Sequence, residues 1–343
     1  MTTRTHRDHA PASIPIPALG RRTLLAGAAA ALGALAAPGG AFAQAAFPGR
    51  AVRFVVPFPA GGPVDTTGRA VAQKLSEVWG VPAVIDNRAG AGGIVGAEIA
   101  ARLPADGHHV FVCSIHHAVL PSLKPRLAYD IEKDFVPLSF GAMFPVVLVA
   151  HPGVPVKSVA DVVALDRRAP GTLSFGSAGN GGGTHLAGEL FKLQTGVFIT
   201  HIPYRGAGPA LQDLIAGNVD VMFDGLGSSA QHIKAGRIKA LMVSGTRRNP
   251  AFPDVPCAAE VGLPDYTVTT WYGLWAPRGT PGELQARIIE SARKALAADD
   301  LRTIWAANGS EIPDLATTAF GGFVNAEVRR WATVVKASGT KLD

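Results

Sequence analysis

The sequence has little of three things that mark specialised classes of protein: cysteine, clustered positive charge and long hydrophobic runs. Only two of its 343 residues are cysteines, Cys113 and Cys257, too few for a disulfide framework. Domains of this size need no covalent staple, so we expect two buried, unpaired thiols, although an oxidising compartment would also allow a disulfide. The sequence therefore does not predict a disulfide-rich scaffold.

Positive charge is present but not clustered. Residues 1–43 contain four Arg and one Asp, and the 300 residues that follow carry 28 basic and 25 acidic side chains, a formal charge of +3. No long run of Lys or Arg occurs among them. We therefore expect no binding of nucleic acid.

The one apolar run near the N-terminus is too short to span a membrane. It follows Arg21-Arg22, extends for about 14 residues through Ala37, and leads to the small-residue site Ala41-Phe42-Ala43. A bilayer span needs ~20 apolar residues. The combination predicts a secretion signal over residues 1–43, cleaved after Ala43. The arginine pair favours the twin-arginine export route, and the Sec route stays open. No later stretch is long and apolar enough to cross a membrane.

No motif for nucleotide binding, metal binding or nucleophilic catalysis is complete. The sequence lacks a phosphate-binding P-loop, and Gly90-Ala91-Gly92 and Gly179-Asn180-Gly181 both lack the third glycine of a dinucleotide fingerprint. Gly176–Gly179 resembles a nucleophile elbow only loosely. His108-His109 and His116-His117 have no metal-ligand spacing around them, and adjacent residues of a strand point to opposite faces. We predict no catalytic residue, no metal site and no cofactor.

What the sequence does contain is a repeated pattern of short apolar run, Gly-rich turn and amphipathic helix. Ala51–Phe58, for example, leads through the turn at 59–65 into a helix with Val71 and Leu75 on its buried face, and Asp65 is placed to cap that helix. Such alternation predicts an α/β protein with mostly parallel sheets.

The C-terminal part predicts how the domains are arranged. A strand at Thr267–Ala276 and two helices, Pro281–Ala298 and Thr318–Ala337, are too little for a third domain, so we expect them to pack onto the first. The chain would then cross between two lobes twice, near Pro145–Pro152 and Asp265–Trp271. This predicts lobe 1 from residues 44–147 and 269–343, lobe 2 from residues 148–268, a hinge of two crossings and a central cleft.

Four Gly-rich turns follow strands and precede helices, at 59–65, 90–93, 176–184 and 204–209. In open parallel sheets, ligands bind beyond the carboxyl ends of the strands. Helix N-termini there present unpaired N–H groups and a positive dipole end. The four turns are therefore candidate walls of one anion-accepting cleft.

The order of motifs along the chain resembles that of the Bug receptors, the solute-binding proteins of tripartite tricarboxylate transporters. The resemblance covers nearly all of the chain after residue 43. Its motifs are Pro57–Asp65, Asp86–Gly93, Pro104–Gly107, Tyr129–Phe135, Gly176–Leu186, Ile202–Phe223, Pro253–Gly262 and Trp271–Pro277.

The resemblance implies a periplasmic binding protein fold of type II, a small carboxylate as ligand, and inner-membrane permease subunits as partners. It implies a periplasmic, non-enzymatic protein, and we expect a monomer. Backbone amides and ordered waters, rather than an Arg clamp, would grip the carboxylate. The implied contact residues are Phe58, Pro59, Ala60, Gly61, Gly62, Asp65, Thr66 and Thr67 in the first loop; Ser114, His116 and His117 at the ligand's far end; and Ser177, Gly179, Asn180, Thr184, His185, Tyr204, Arg205, Gly206 and Asp224 in lobe 2.

Several of these residues also have a plausible structural role. Asp65 could cap its helix without contacting the ligand, and Tyr204 could pack in the core. Arg205 could be a solvated charge, and Asp224 could orient a loop. The pair His116-His117 departs from the family pattern. Protonated, it would accept a second carboxylate; neutral, it would hydrogen-bond an uncharged group.

The ligand itself stays open among dicarboxylates, tricarboxylates, acidic amino acids and aromatic acids. A ligand-sensing adaptor for signalling and a periplasmic enzyme on the same fold are the alternative functions.

Overall fold

The computed structural model describes residues 47–124, 126–310 and 317–340. The secretion signal predicted over residues 1–43 lies outside the described residues. None of the helices in the described ranges is both long enough and apolar enough for a membrane span.

Strands and helices alternate along most of the described chain. The strands are β1 (Val52–Val56), β2 (Ala83–Asn87), β3 (His109–Ser114), β4 (Phe135–Ala150), β5 (Ser174–Ser177), β6 (Thr200–Pro203), β7 (Val221–Gly225), β8 (Lys239–Val243) and β9 (Thr269–Pro277). The α-helices are α1 (Pro63–Trp79), α2 (Ile94–Ala101), α3 (Ile115–Leu123), α4 (Val159–Arg168), α5 (Gly183–Thr195), α6 (Ala207–Ala216), α7 (Leu226–Lys234), α8 (Gly282–Leu296), α9 (Asp299–Ala307) and α10 (Thr317–Ser338).

The strands form one mixed sheet in the order β2-β1-β3-β9-β4-β7-β5-β6, with β8 also paired to β4. β1 runs parallel to β2 and β3, and β5 runs parallel to β6 and β7. β4 and β9 run antiparallel to each other and to their other neighbours. Parallel pairing, as predicted, is therefore found at both ends of the sheet, and antiparallel pairing fills its middle.

Local sequence explains the first strand and helix. Every residue of β1 except Arg53 is buried, as expected for an apolar strand covered on both faces. In α1, Val71 and Leu75 are buried, and the helix ends at Gly80, whose φ of 68° lies in the left-handed region that glycine tolerates. Both elements agree with the sequence prediction.

The long strand β4 links the two ends of the sheet. Its first part, Phe135–Pro145, pairs with β9, and its second part, Val146–Ala150, pairs with β7. Ser244 Oγ accepts a hydrogen bond from the Val146 N–H at 3.0 Å and donates one to the Val268 carbonyl. These bonds join the two segments in which the sequence predicts that the chain crosses between lobes.

The sequence pattern did not predict four of the observed helices, α3, α4, α7 and α9, or the strand β8. Strand β4 is also longer than its apolar run Val146–Ala150 indicates, because it begins at Phe135 and includes Pro137 and Pro145, although proline is rare inside strands. The observed strand accommodates them with register shifts, one between Pro137 and Ser139. The argument that His116 and His117 point to opposite faces of a strand is also wrong, since both lie in α3.

The C-terminal elements pack against the first part of the chain. Strand β9 pairs with β3, and α8 packs on α1. Helix α10 is fixed by Glu327, whose Oε2 accepts hydrogen bonds from the indole N–H groups of Trp271 and Trp331 at 3.2 and 3.0 Å. Both cysteine thiols are buried and free, which confirms that expectation.

Candidate functional site

A cavity of about 250 Å³ lies where the Gly-rich turns meet. Residues of three of the four predicted turns line it, from 59–65, 176–184 and 204–209. The fourth turn, 90–93, lines a neighbouring cavity of about 670 Å³. Residues shared by the two cavities are Phe58, Pro59, His116, Ala178, Arg205 and Gly206. Gly61, Pro63, Ala207 and Gly208 also line a third cavity of about 440 Å³, so the turns surround several adjoining spaces rather than one.

Several helices begin at the smaller cavity. Its lining includes Gly62, the N-cap of α1; Ile115 at the start of α3; Thr184 in the first turn of α5; 207–209, which begin α6; and Gly225, the N-cap of α7. The first N–H groups of a helix have no partner inside the helix, and its N-terminus carries a partial positive charge. Converging N-termini make this cavity electrostatically suited to an anion.

Asp65 supports the first loop from behind and does not line the cavity. Its Oδ2 accepts hydrogen bonds from the Gly61 N–H at 2.9 Å and from Arg69 Nε at 2.8 Å, and its Oδ1 accepts one from the Asn87 amide at 2.8 Å. Burial raises the pKa of Asp65, but these hydrogen bonds outweigh burial and hold it below its usual value. The prediction that Asp65 caps α1 is wrong, because the N-cap is Gly62.

The two histidines of α3 have different positions. His117 is fully buried, and its Nδ1 accepts a hydrogen bond from the N–H of Ser114, the N-cap of α3, at 3.1 Å. His116 lines both cavities. Burial lowers the pKa of His117 to about 4, and burial with the nearby His117 lowers the pKa of His116 to about 3. Both rings are therefore uncharged at neutral pH, which favours the neutral alternative for this pair.

Ser177 and His185 form the framework behind the loop at 176–184. Ser177 Oγ lies 2.6 Å from His201 Nε2, and the His185 ring stacks on His201 with centroids 3.8 Å apart. His185 Nδ1 accepts a hydrogen bond from the Gly181 N–H at 2.9 Å. Ser177 is fully buried and lines neither cavity, so its pairing with His201 fixes the loop and does not present a nucleophile.

Thr184 both shapes this loop and faces the smaller cavity. Its Oγ1 accepts a hydrogen bond from the Ala178 N–H at 2.9 Å.

Sequence reasoning missed His201, the partner of Ser177. Its only signal in the sequence is its position in the strand next to β5.

Two charged residues, Asp224 and Arg205, also line the smaller cavity. Asp224 is buried, its Oδ2 accepts hydrogen bonds from the hydroxyls of Ser228 and Ser229 at 2.6 and 2.8 Å, and burial raises its pKa to about 6. Arg205 is exposed. Tyr204 lines only the larger cavity, and its hydroxyl donates to Asp213 at 2.7 Å.

Strand β9 supplies two lining residues that were not predicted, Thr270 and Tyr272. Thr270 packs against Gly225 so closely that a Cβ on Gly225 would lie 2.7 Å from its hydroxyl. The only sequence signal for them was their place at or beside the WYGLWAP motif.

The twenty predicted contact residues therefore fall into three groups. Those that line the smaller cavity are Phe58, Pro59, Ala60, Gly61, Gly62, His116, Thr184, Arg205, Gly206 and Asp224. Those that line only the larger cavity are Gly179, Asn180 and Tyr204. Those that line neither are Asp65, Ser114, His117, Ser177 and His185, together with Thr66 and Thr67, which line the third cavity. Within the described residues, no cluster of three His, Cys, Asp or Glu side chains is placed to hold a metal ion.

The mixed α/β sheet and the helices around it have the fold of the periplasmic binding proteins. Within that class, the family model for the "Tripartite tricarboxylate transporter family receptor" matches residues 67–340, and the chain belongs to that family. The resemblance to Bug receptors is thereby confirmed. BugT of Bordetella pertussis is 36% identical over 299 residues, which cover 86% of this chain and 91% of BugT.

Two solved structures with ligands share the fold. The structure of R. palustris Rpa4515 with adipate has a TM-score of 0.82 and 36% identity, and the match covers 86% of this chain and 99% of that one. MatC (Rpa3494) from Rhodopseudomonas palustris with bound malate has a TM-score of 0.80 and 35% identity, with coverage of 84% and 100%.

Proposed function

We propose that this protein is a periplasmic solute-binding receptor that captures a small carboxylate and delivers it to the membrane subunits of a tripartite tricarboxylate transporter. It binds its ligand stoichiometrically and does not convert it. The family supports the transport role, and the two solved relatives with adipate and malate support a carboxylate as ligand. The predicted secretion signal supports the location in the periplasm.

The observation that carries the proposal is the convergence of helix N-termini on one cavity. The carboxylate lies against the loop 59–62 and the start of α6, where unpaired backbone N–H groups and helix dipoles favour a negative charge. Asp65 keeps the first loop in shape from outside the cavity, so the loop is organised before the ligand arrives.

The mechanism is capture by closure of two lobes. Lobe 1 comprises residues 44–147 and 269–343, and lobe 2 comprises residues 148–268, with the hinge where β4 and the segment before β9 meet at Ser244. The carboxylate contacts both sides of the cavity and so favours the closed form over the open one. The membrane partner recognises the closed form.

A thermal-shift screen of the purified protein against carboxylates and their matched amides tests this proposal. An acid at 100 times its Kd stabilises the folded state by about 2.7 kcal/mol, and its amide should not. Calorimetry should then give one site per chain, and small-angle scattering should give a smaller radius of gyration with ligand. Equal shifts with acids and amides, or conversion of the acid to a product, would contradict the proposal.

A further inference from the structure

The charges around the smaller cavity suit one anionic group better than two. Among the described lining residues, the charged side chains are Arg205, which is exposed, and Asp224, which is buried. The helix N-termini favour a carboxylate through backbone N–H groups and helix dipoles rather than through charged side chains. Arg205 is screened by water, and a second carboxylate would lie in a cavity that Asp224 already supplies with an acidic group.

His116 lies where the far end of a ligand would be, between the two cavities. Its Nε2 is shielded from solvent and has no hydrogen-bond partner among the described residues. Nε2 packs against Gly182, the N-cap of α5, and the His116 ring lines both cavities. An enclosed polar atom without a partner is destabilising, and a ligand group that hydrogen-bonds to it removes that penalty. Burial and the nearby His117 lower the pKa of His116 to about 3, so the ring supplies a hydrogen bond and no charge.

The walls between these two ends are largely apolar. Phe58, Ile115, Ala178 and Tyr272 line the smaller cavity, and the Phe58 ring meets the His116 ring edge to face with centroids 5.0 Å apart. Such walls favour a ligand with an apolar body, because its burial releases water from both surfaces.

We propose that the ligand is a monocarboxylate with an apolar body and an uncharged hydrogen-bonding group at its far end, and that His116 selects for that group. This inference rests on the proposed function, since it takes the carboxylate end to be held by the helix N-termini. The proposed ligand differs from adipate and malate, the dicarboxylates bound in two solved relatives.

A set of matched probes tests the ligand class. 4-Hydroxybenzoate carries one carboxylate and an uncharged far end, terephthalate replaces the hydroxyl with a second carboxylate, and benzoate has no far-end group. Calorimetry should show 4-hydroxybenzoate binding about tenfold tighter than terephthalate or adipate. Tighter binding of terephthalate or adipate would overturn this inference and leave the proposed function standing. Binding of none of the four acids would overturn this inference, and binding of no acid in the wider screen would overturn the proposed function as well.

Two substitutions test the role of His116. His116→Leu should weaken the binding of 4-hydroxybenzoate about tenfold and change the affinity for benzoate less than about twofold, because only the hydrogen bond is lost. His116→Asn, which keeps a neutral hydrogen-bonding group, should retain the preference for 4-hydroxybenzoate. His151→Leu removes a histidine that lines neither cavity and should bind both acids like the wild type. Equal losses for both acids in His116→Leu would show that His116 acts only through packing.

Discussion

Replacing Gly182 with alanine adds one methyl group where the loop before α5 meets the His116 ring. Gly182 has φ −75° and ψ 164°, values open to any residue, so alanine introduces no backbone strain. A Cβ at this position would overlap Nε2 of His116 and lie 2.8 Å from Cδ2 of the same ring. The His116 ring and the loop before α5 must therefore move apart.

The size of the effect follows from the cost of overpacking. An extra methyl group in a packed contact costs about 1–3 kcal/mol. In the closure mechanism proposed above, opening the cleft separates the ring from the loop, so the cost should fall mainly on the closed, ligand-bound form. Since 1.4 kcal/mol corresponds to a factor of ten, affinity should drop about 5- to 150-fold. The free energy of unfolding without ligand should change less.

Calorimetry with the best acid of the screen measures the affinity, and urea unfolding measures the stability of the free protein. Gly322→Ala is the matched control, because Gly322 is exposed on α10 and a Cβ there has no neighbour within 4 Å. It should leave affinity unchanged and raise stability by up to about 1 kcal/mol. The double variant His116→Ala/Gly182→Ala should bind no worse than His116→Ala alone. Wild-type affinity in Gly182→Ala would refute the reasoning.

Three further predictions concern stability, each measured by urea unfolding. The pKa of Asp224 is raised to about 6, so its ionisation as pH rises destabilises the wild-type fold. Asp224→Asn cannot ionise, so its free energy of unfolding relative to wild type should increase between pH 4 and 7, by about 3 kcal/mol at most. Asp65→Ala should lower the free energy of unfolding by about 2 kcal/mol and weaken ligand binding, because the Gly61 N–H loses its acceptor. Arg69→Gln should lower the free energy of unfolding by less than about 1 kcal/mol. Glu327→Ala should cost about 2–4 kcal/mol, because two indole N–H groups lose their acceptor, and Glu327→Gln should cost less.

Each of these three has an outcome that would contradict it. A constant stability difference between Asp224→Asn and wild type across this pH range would mean that Asp224 does not titrate there. Equal losses in Asp65→Ala and Arg69→Gln would assign the effect to the surface ion pair. Equal losses in Glu327→Ala and Glu327→Gln would mean that the charge, not the acceptor atom, stabilises α10.

Much of the fold could be predicted because the information is local. A strand such as β1 is recognisable from its consecutive apolar residues, and α1 from the spacing of Val71 and Leu75 and the glycine at its end. The order of motifs along the chain placed it in its family. The same local signals located three of the turns that line the smaller cavity, because each turn joins a strand to the helix that follows it.

The roles of individual side chains depended on contacts between distant parts of the chain. Asp65 was predicted to cap its own helix, but its carboxylate binds Asn87, 22 residues away. Ser177 was a candidate contact, but it pairs with His201 on the neighbouring strand. Thr270 lines the cavity because β9 returns to the middle of the sheet. Composition and periodicity determined the elements and their order, whereas only tertiary packing decided which polar atoms face the cavity, because strand register and helix docking bring together residues that no local pattern connects.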